Sequence, residues 1–255
     1  MPGGIVIEIR GLTKLYGDLR AVDDLSFTVP PREVMGLVGP NGAGKTTTLR
    51  CLVGIVPPSG GRIILAGHDI ATDPVAAKRE AAFVPDEPRL FDYLTVEEHL
   101  RFVSRLYGVD AFEDRAATLL AELDLKGRER SLPVELSRGM KQKLAIACGL
   151  IHDPKVILFD EPLTGLDPIG IRRMKEIIAA RAAGGCAVII SSHLLWLVEE
   201  LCHRVLVLSR GRKVVHGTME EIAATLPEMS KGADLEEIFL RVTDAEAREN
   251  GQEKP

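Results

Sequence analysis

Short runs of β-branched and aliphatic residues alternate along the chain with stretches of helical periodicity. The runs predict strands at residues 5–9, 33–38, 155–160, 186–191 and 204–209. Several are apolar without alternation, as expected of strands that are covered on both faces. Helical stretches lie between them, at residues 44–55 and 168–183. This order predicts an α/β fold with a mostly parallel sheet.

The middle of the chain, from about residue 95 to residue 150, has helical periodicity and no strong strand. Near its start, four apolar positions fall on one helical face: Val96, Leu100, Val103 and either Leu106 or Tyr107. We therefore predict a helical subdomain that is inserted into the α/β body.

The chain ends in a predicted helix and a polar tail. The helix is indicated by four apolar residues at helical spacing, Leu235, Ile238, Phe239 and Val242. The residues that follow are polar and are expected to fray. We therefore predict one domain over residues 1–242 and a flexible tail over residues 243–255.

Composition and charge exclude some functions. The 255 residues are 45% hydrophobic and 27% charged, the balance of a globular protein. There are 37 acidic and 32 basic residues, giving a net charge of -5. A nonspecific nucleic-acid binder is normally basic. Nucleic acid is therefore not an expected partner.

Neither a membrane span nor a secretion signal is predicted. The longest uncharged run, residues 182–198, contains polar residues and is shorter than the roughly 20 apolar residues that a span needs. The N-terminus lacks a basic leader. The four cysteines form no CxxC pair, which favours buried, reduced thiols over a metal site. These features predict a soluble, cytosolic protein.

The segment GPNGAGKT follows an apolar strand and opens an amphipathic helix, the context of a phosphate-binding loop. We expect the amides of Gly42, Ala43 and Gly44 to face phosphate oxygens, because a helix N-terminus attracts anions. Lys45 would reach the β- and γ-phosphates, and Thr46 would offer its hydroxyl to Mg²⁺. The alternative is a glycine-rich turn that precedes a helix by chance. The other predicted nucleotide contacts in this segment are Gly39, Asn41 and Thr47.

A second motif, KVILFDEP, leads an apolar strand to two acids, Asp160 and Glu161. Ligands of open parallel sheets gather at the carboxyl ends of the strands, so both acids are expected beside the phosphate loop. Asp160 suits Mg²⁺ through water, because Mg²⁺ keeps several of its waters. Glu161 suits the polarisation of an attacking water. The alternative is a pair of helix-capping acids.

A third motif, ELSRGMKQKL, places Ser137 where it can cap the following helix and Gly139 in the first turn. It resembles the LSGGQ signature of the ATP-binding cassette family. The order of phosphate loop, signature and acid pair is also that of the family. The resemblance covers essentially the whole globular part of the chain. The resemblance implies a P-loop NTPase fold with an antiparallel β region at the N-terminus and an inserted helical subdomain.

The resemblance also assigns residues that the motifs alone leave open. Tyr16 in KLYG matches the aromatic residue that stacks on adenine, and Asp167 in GLD lies in the D-loop. His193 in IISSHLL matches the switch histidine, so Lys45, Glu161 and His193 are the expected catalytic residues. Without the family order, a single tyrosine or histidine would be read as ordinary packing.

Three positions depart from the family pattern. Arg138 stands where the signature usually has glycine, and Met140 replaces its glutamine. Asp86 takes the place of the Q-loop glutamine. A carboxylate can still bind Mg²⁺, but it cannot donate a hydrogen bond as an amide does. The segments SRGMKQK and LTGLDP resemble exporter-type cassettes, which work with a separate permease.

In the family, two cassettes lie head to tail with ATP between them, and the signature of one copy faces the phosphate loop of the other. The resemblance therefore implies ATP and Mg²⁺, a homodimer or paired cassette, and a membrane permease that holds the chain at the cytoplasmic face of the membrane. The permease would dock near residues 86–94. Four apolar side chains there could make the contact or belong to the subdomain core: Leu90, Phe91, Tyr93 and Leu94.

Two other functions stay open. A soluble regulatory cassette ATPase would drive a protein or nucleic-acid partner instead of a transporter. The short interval between Lys45 and Ser137 leaves no room for the coiled-coil insertion of the chromosome-organising branch, and a single set of motifs disfavours the tandem translation-factor branch. A metabolic kinase could use the same phosphate loop, but SRGMKQK and His193 would then have no purpose.

Overall fold

A computed structural model of the chain describes residues 6–225, 235–237 and 239–240. Within that part the strands are Ile7–Tyr16 (β1), Leu19–Val29 (β2), Val34–Val38 (β3), Gly60–Leu65 (β4), His68–Asp69 (β5), Ala81–Val84 (β6), Val156–Asp160 (β7), Ala187–Ser191 (β8), Arg204–Ser209 (β9) and Arg212–Gly217 (β10). The α-helices are Lys45–Leu52 (α1), Pro74–Arg79 (α2), Val96–Tyr107 (α3), Phe112–Glu122 (α4), Arg138–Leu150 (α5), Pro168–Ala183 (α6), Leu195–Leu201 (α7) and Met219–Thr225 (α8).

The strands form two sheets. In the larger sheet, ordered β10-β9-β3-β8-β7-β6, the five strands from β9 to β6 run parallel and only β10 pairs antiparallel with its neighbour. The smaller sheet, β2-β1-β4-β5, is antiparallel throughout. The predicted α/β fold, with a mostly parallel core sheet and an N-terminal antiparallel region, is confirmed.

The central parallel strands are apolar at successive positions because both of their faces are covered. All five residues of β7 are buried. Its Ile157 and Phe159 pack into a cluster with the helical subdomain, whereas Val156 and Leu158 pack into a second cluster with α1 and the antiparallel sheet. Apolar and polar residues do not alternate along this strand because each face of the sheet is covered by its own core.

The helical subdomain packs on the sheet through a continuous apolar cluster. Val96 and Leu100 are fully buried in that cluster, together with residues of α4, α5 and α6. Thr95 begins α3 with a capping box, in which its hydroxyl accepts from the Glu98 amide and the Glu98 carboxylate accepts from the Thr95 amide. Leu106 is 67% exposed, so it does not extend the buried face of α3.

The end of the described chain also packs on the body. Leu235 is fully buried in a cluster with Val38, Val198 and Ile222, and residues 235–237 and 239–240 are helical. Two predicted members of this last helix, Ile238 and Val242, and the predicted tail over residues 243–255 lie outside the described residues.

Two further sequence predictions can be compared with the structure. The four cysteines are free thiols, and burial raises the pKa of each, to about 12 for Cys148 and Cys202. Across the described ranges, none of the helices combines the length and the apolar character that crossing a bilayer requires.

Candidate functional site

The phosphate loop, which contains Gly39, Gly42 and Gly44, connects β3 to α1. Gly42 and Gly44 have φ angles of 81° and 101°, in the left-handed region that side chains disfavour. A Cβ on Gly44 would lie 2.4 Å from the carbonyl oxygen of Ala21, so this position also needs glycine for space. Gly211 donates its amide to the Ala43 carbonyl at 3.0 Å. The loop therefore packs closely against β2 and is hydrogen-bonded to the β9–β10 turn.

Lys45 lies within this loop. Its ammonium group donates to the carbonyls of Gly39, at 2.7 Å, and Pro40, at 3.2 Å. Burial lowers the pKa of Lys45, and the negative charges of Glu161 and Asp160 oppose that shift. The loop lysine and the two acids of the second motif are thus electrostatic neighbours. The Ala43 amide, which was expected to face phosphate, donates to Pro40 at 3.1 Å.

Thr46 and Asp160 meet although they are far apart in the chain. The Thr46 hydroxyl donates to Asp160 Oδ1 at 3.2 Å, and the Ser191 hydroxyl donates to the same oxygen at 2.6 Å. Asp160 is 4% exposed. The register of the sheet explains the contact, because Ser191 pairs with both Asp160 and Leu37 at the carboxyl ends of adjacent strands.

Glu161 and His193 form the second pair at this edge. Glu161 has a φ of 50°, a left-handed conformation that costs on the order of 1 kcal/mol in a non-glycine residue. Its amide donates to the Ser191 carbonyl at 3.1 Å. Its Oε2 accepts from His193 Nδ1 at 2.7 Å and from the His193 amide at 3.3 Å. The strained turn after β7 therefore aims the carboxylate at the histidine.

Asp86 follows β6 and lies in the same groove as Thr46 and Asp160. This groove has a volume of about 830 Å³ and runs from the phosphate loop to α3 and α5. Asp86 Oδ1 is buried and has no hydrogen-bond partner in the described part of the chain. An orphaned carboxylate oxygen in the groove that Thr46 and Asp160 also line fits the hard oxygen donors that Mg²⁺ takes. The described residues contain no cluster of three or more His, Cys, Asp or Glu that could hold a metal alone, and Mg²⁺ usually combines few protein ligands with phosphate and water.

The signature and D-loop residues lie against each other. Ser137 caps α5 by accepting from the Met140 amide at 3.3 Å. A Cβ on Gly139 would lie 2.9 Å from the Gly165 carbonyl oxygen, and one on Gly165 would lie 3.1 Å from Arg138 Cδ. Asp167 Oδ1 accepts from an amide in the first turn of α6 at 2.7 Å and so caps that helix.

Comparison with known proteins identifies the family. A family model described as ABC transporter matches residues 22–164. The chain is 33% identical over 244 residues to the ABC-type transporter ATP-binding protein EcsA of Bacillus subtilis, covering 95% of this chain and 98% of that protein. It is 39% identical over 235 residues to the Nod factor export ATP-binding protein I of Paraburkholderia xenovorans, covering 91% of this chain and 76% of that protein.

A solved structure titled as the ATP binding subunit of an ABC transporter superposes with a TM-score of 0.89 at 34% identity, covering 93% of this chain and 99% of that one. The chain belongs to the ABC transporter family. It is an ATP-binding subunit whose ATPase activity powers a membrane transporter. The predicted family, function and enzyme class are confirmed, and neither the regulatory ATPase nor the kinase is favoured.

The four apolar residues after Asp86 in this ABC ATPase divide into exposed and half-buried side chains. Phe91 and Tyr93 are 56% and 91% exposed. Leu90 and Leu94 are half-buried, and Leu90 packs against the subdomain core. Leu90 therefore belongs to the subdomain core, whereas permease contact by the exposed Phe91 and Tyr93 stays a prediction.

Sequence reasoning missed His99, which fixes this segment of the ABC ATPase to α3. His99 is 3% exposed. Its Nε2 accepts from the Phe91 amide at 2.9 Å, and its Nδ1 donates to the Thr95 carbonyl at 2.8 Å. The available signal was the spacing of His99 from Val96 and Val103, three and four positions, which places it on the apolar face of the helix. A histidine that is buried there must find hydrogen-bond partners.

Proposed function

We propose that this chain binds Mg·ATP at its phosphate loop and hydrolyses it with Glu161 as the general base. The observation that carries the proposal is the Glu161–His193 pair at the sheet edge that also holds Thr46 and Asp160. When bound, Mg²⁺ neutralises charge on the phosphate oxygens, and Thr46, Asp160 and Asp86 are the residues that would hold it.

The reaction follows from these positions. The Glu161 carboxylate accepts a proton from a water whose oxygen forms the new bond to the γ-phosphorus. The bond from that phosphorus to the bridging oxygen breaks, and ADP and phosphate are released. His193 keeps the carboxylate in place through its two hydrogen bonds. Lys45 stabilises negative charge on the β- and γ-phosphates during the transfer.

We further propose that a second cassette completes the site. Ser137 and Gly139 contact α5 and Gly165, and no hydrogen bond of the described residues joins either of them to Lys45, Thr46 or Asp160. Two copies arranged head to tail would bring the signature of each, with the N-terminus of α5, to the ATP held by the other. Hydrolysis then removes contacts across the interface and lets the copies part.

The partner that receives this motion is proposed to be a separate permease, and transport is proposed to run outward from the cytoplasmic face. The name of one relative supports the direction, because it is a Nod factor export ATP-binding protein. Exposed Phe91 and Tyr93 on the segment fixed by His99 support docking beside the groove.

Replacing Phe91 and Tyr93 together with alanine should abolish co-purification with a membrane permease that the unaltered chain captures. These aromatic side chains offer the largest exposed apolar area of the segment, and aromatic anchors carry much of the energy of protein interfaces. Val75→Ala is the matched control, since Val75 is also exposed and apolar (65%) but lies in α2, outside residues 86–94. Full permease capture by the double variant, with thermal unfolding unchanged, would exclude this docking site.

The unusual carboxylate at position 86 should make nucleotide binding depend strongly on the metal. Like charges about 4 Å apart repel by about 4 kcal/mol at an effective dielectric constant of about 20. In EDTA, Asp86→Asn should therefore bind ATP more tightly than the unaltered chain, and Mg²⁺ should shrink or reverse that gain. Glu87→Gln, on the neighbouring exposed acid, is the control. Equal metal dependence in calorimetric titrations of Asp86→Asn and unaltered protein would place Asp86 away from the phosphates.

A further inference from the structure

Lys14 lies against one face of the Tyr16 ring. The two residues are two positions apart on β1. The Lys14 ammonium nitrogen is 4.9 Å from the centre of the Tyr16 ring, within cation–π range. It also donates to the Pro57 carbonyl at 2.9 Å. Tyr16 is 48% exposed.

The segment that holds Lys14 connects the phosphate-loop helix to the antiparallel sheet. Pro57 and Ser59 lie between α1 and β4. Ser59 donates its amide to the Thr13 carbonyl at 2.8 Å, and its hydroxyl accepts from the Leu15 amide at 3.0 Å. Together with the bond from Lys14, these contacts tie β1 on both sides of Lys14 to the chain that leaves α1. Lys14 and the strand that carries it are thereby fixed to the segment between α1 and β4.

We propose that Lys14 is a positioning residue that fixes Tyr16 for stacking of the nucleotide base, and so gives the site its preference for a base-bearing triphosphate. The proposal rests on the proposed function, in which Tyr16 contacts adenine. An ammonium group on one face draws on the π electrons of the ring, which reduces repulsion with a base stacked on the other face. A ring already held in place also loses less conformational freedom when the base binds.

The test compares two ligands that share the triphosphate and differ in the base. Calorimetry with Mg·ATP and with Mg·tripolyphosphate measures the affinity of the unaltered chain, Lys14→Met, Lys14→Arg and Tyr16→Ala. Lys14→Met should weaken ATP about fivefold, the size of a partly exposed cation–π contact, and leave tripolyphosphate unchanged. Lys14→Arg keeps a cation that can donate to the Pro57 carbonyl and should restore the ATP affinity.

A double variant separates positioning from general damage. If Lys14 acts through Tyr16, adding Lys14→Met to Tyr16→Ala should weaken ATP binding no further than Tyr16→Ala alone. Equal losses for ATP and tripolyphosphate in Lys14→Met would overturn the proposal, as would additive losses in the double variant.

The outcomes also distinguish this inference from the proposed function. If Tyr16→Ala weakens ATP selectively but Lys14→Met does not, only the role of Lys14 is wrong. If Tyr16→Ala leaves the ratio of the two affinities unchanged, base stacking on Tyr16 is wrong, and the positioning role fails with it.

Discussion

Replacing Lys45 with alanine is expected to reduce ATP hydrolysis by roughly a hundredfold or more, the usual effect of losing a positioned donor to developing negative charge. Lys45 is the cation held by the loop carbonyls of Gly39 and Pro40, and it lies near the charges of Asp160 and Glu161. Phosphate release at saturating Mg·ATP measures the effect.

Lys78→Ala provides the matched control for this variant. Lys78 also donates to a backbone carbonyl, that of Gly54 at 3.4 Å, but lies in α2 and not in the phosphate loop. Its loss should leave hydrolysis unchanged. If the Lys45→Ala chain unfolds at the same temperature as the unaltered chain and still hydrolyses ATP at the full rate, the phosphate loop has no part in the reaction.

Replacing Glu161 with glutamine is expected to slow hydrolysis by about two to four orders of magnitude while ATP still binds, because the amide cannot accept the proton of the attacking water. The amide oxygen can still accept from the His193 amide, so the local fold should persist. Trapped ATP should then hold two copies together, as an ATP-dependent dimer in size-exclusion chromatography.

The exposed acid Glu199, in α7, supplies the control for the second variant. Glu199→Gln should hydrolyse ATP normally and show no lasting dimer. Two results bear on separate parts of the proposal. Full hydrolysis by Glu161→Gln would exclude Glu161 as the base. A stalled Glu161→Gln chain that stays monomeric at saturating ATP would contradict an interface formed by two copies of this chain alone.

Much of this fold could be predicted because the residue types of the parallel strands indicate whether their faces are buried. A strand such as β7, covered on two faces, is apolar up to its last residue, and that residue, Asp160, lies at the ligand-binding edge. The helix at Pro168–Ala183 was predicted with its observed bounds, since proline is favoured in the first turn and Asp167 supplies the cap.

The antiparallel sheet was harder to derive from residue patterns. The strand at Gly60–Leu65 begins with two glycines and an arginine and has only two buried positions, so its pattern is weak. Its pairing with β1 is long-range and depends on Gly61, where a Cβ would lie 2.4 Å from the Gly11 carbonyl oxygen. Local propensity does not encode such a close approach of two backbones.

In the site, too, some features could be predicted from local sequence and others depend on long-range contacts. The phosphate loop and the acid pair were evident from their motifs, but the contact between Thr46 and Asp160 spans 114 positions and follows only from the register of the sheet. The left-handed turn at Glu161 is likewise imposed by tertiary contacts, since no local signal favours glutamate there. The role of His193 came from the family order, and the structure adds its hydrogen bond to Glu161.

The most direct measurement mixes two variants that damage opposite halves of the composite site. Lys45→Ala removes the phosphate-loop cation, and Ser137→Ala removes the signature hydroxyl. If ATP lies between two copies, a mixed dimer keeps one complete site, built from Lys45 of one copy and Ser137 of the other. Mixing the two purified variants should therefore restore phosphate release that neither shows alone. If the mixture is no more active than the two variants measured separately, one copy does not complete the ATP site of the other. The proposed head-to-tail mechanism is then wrong.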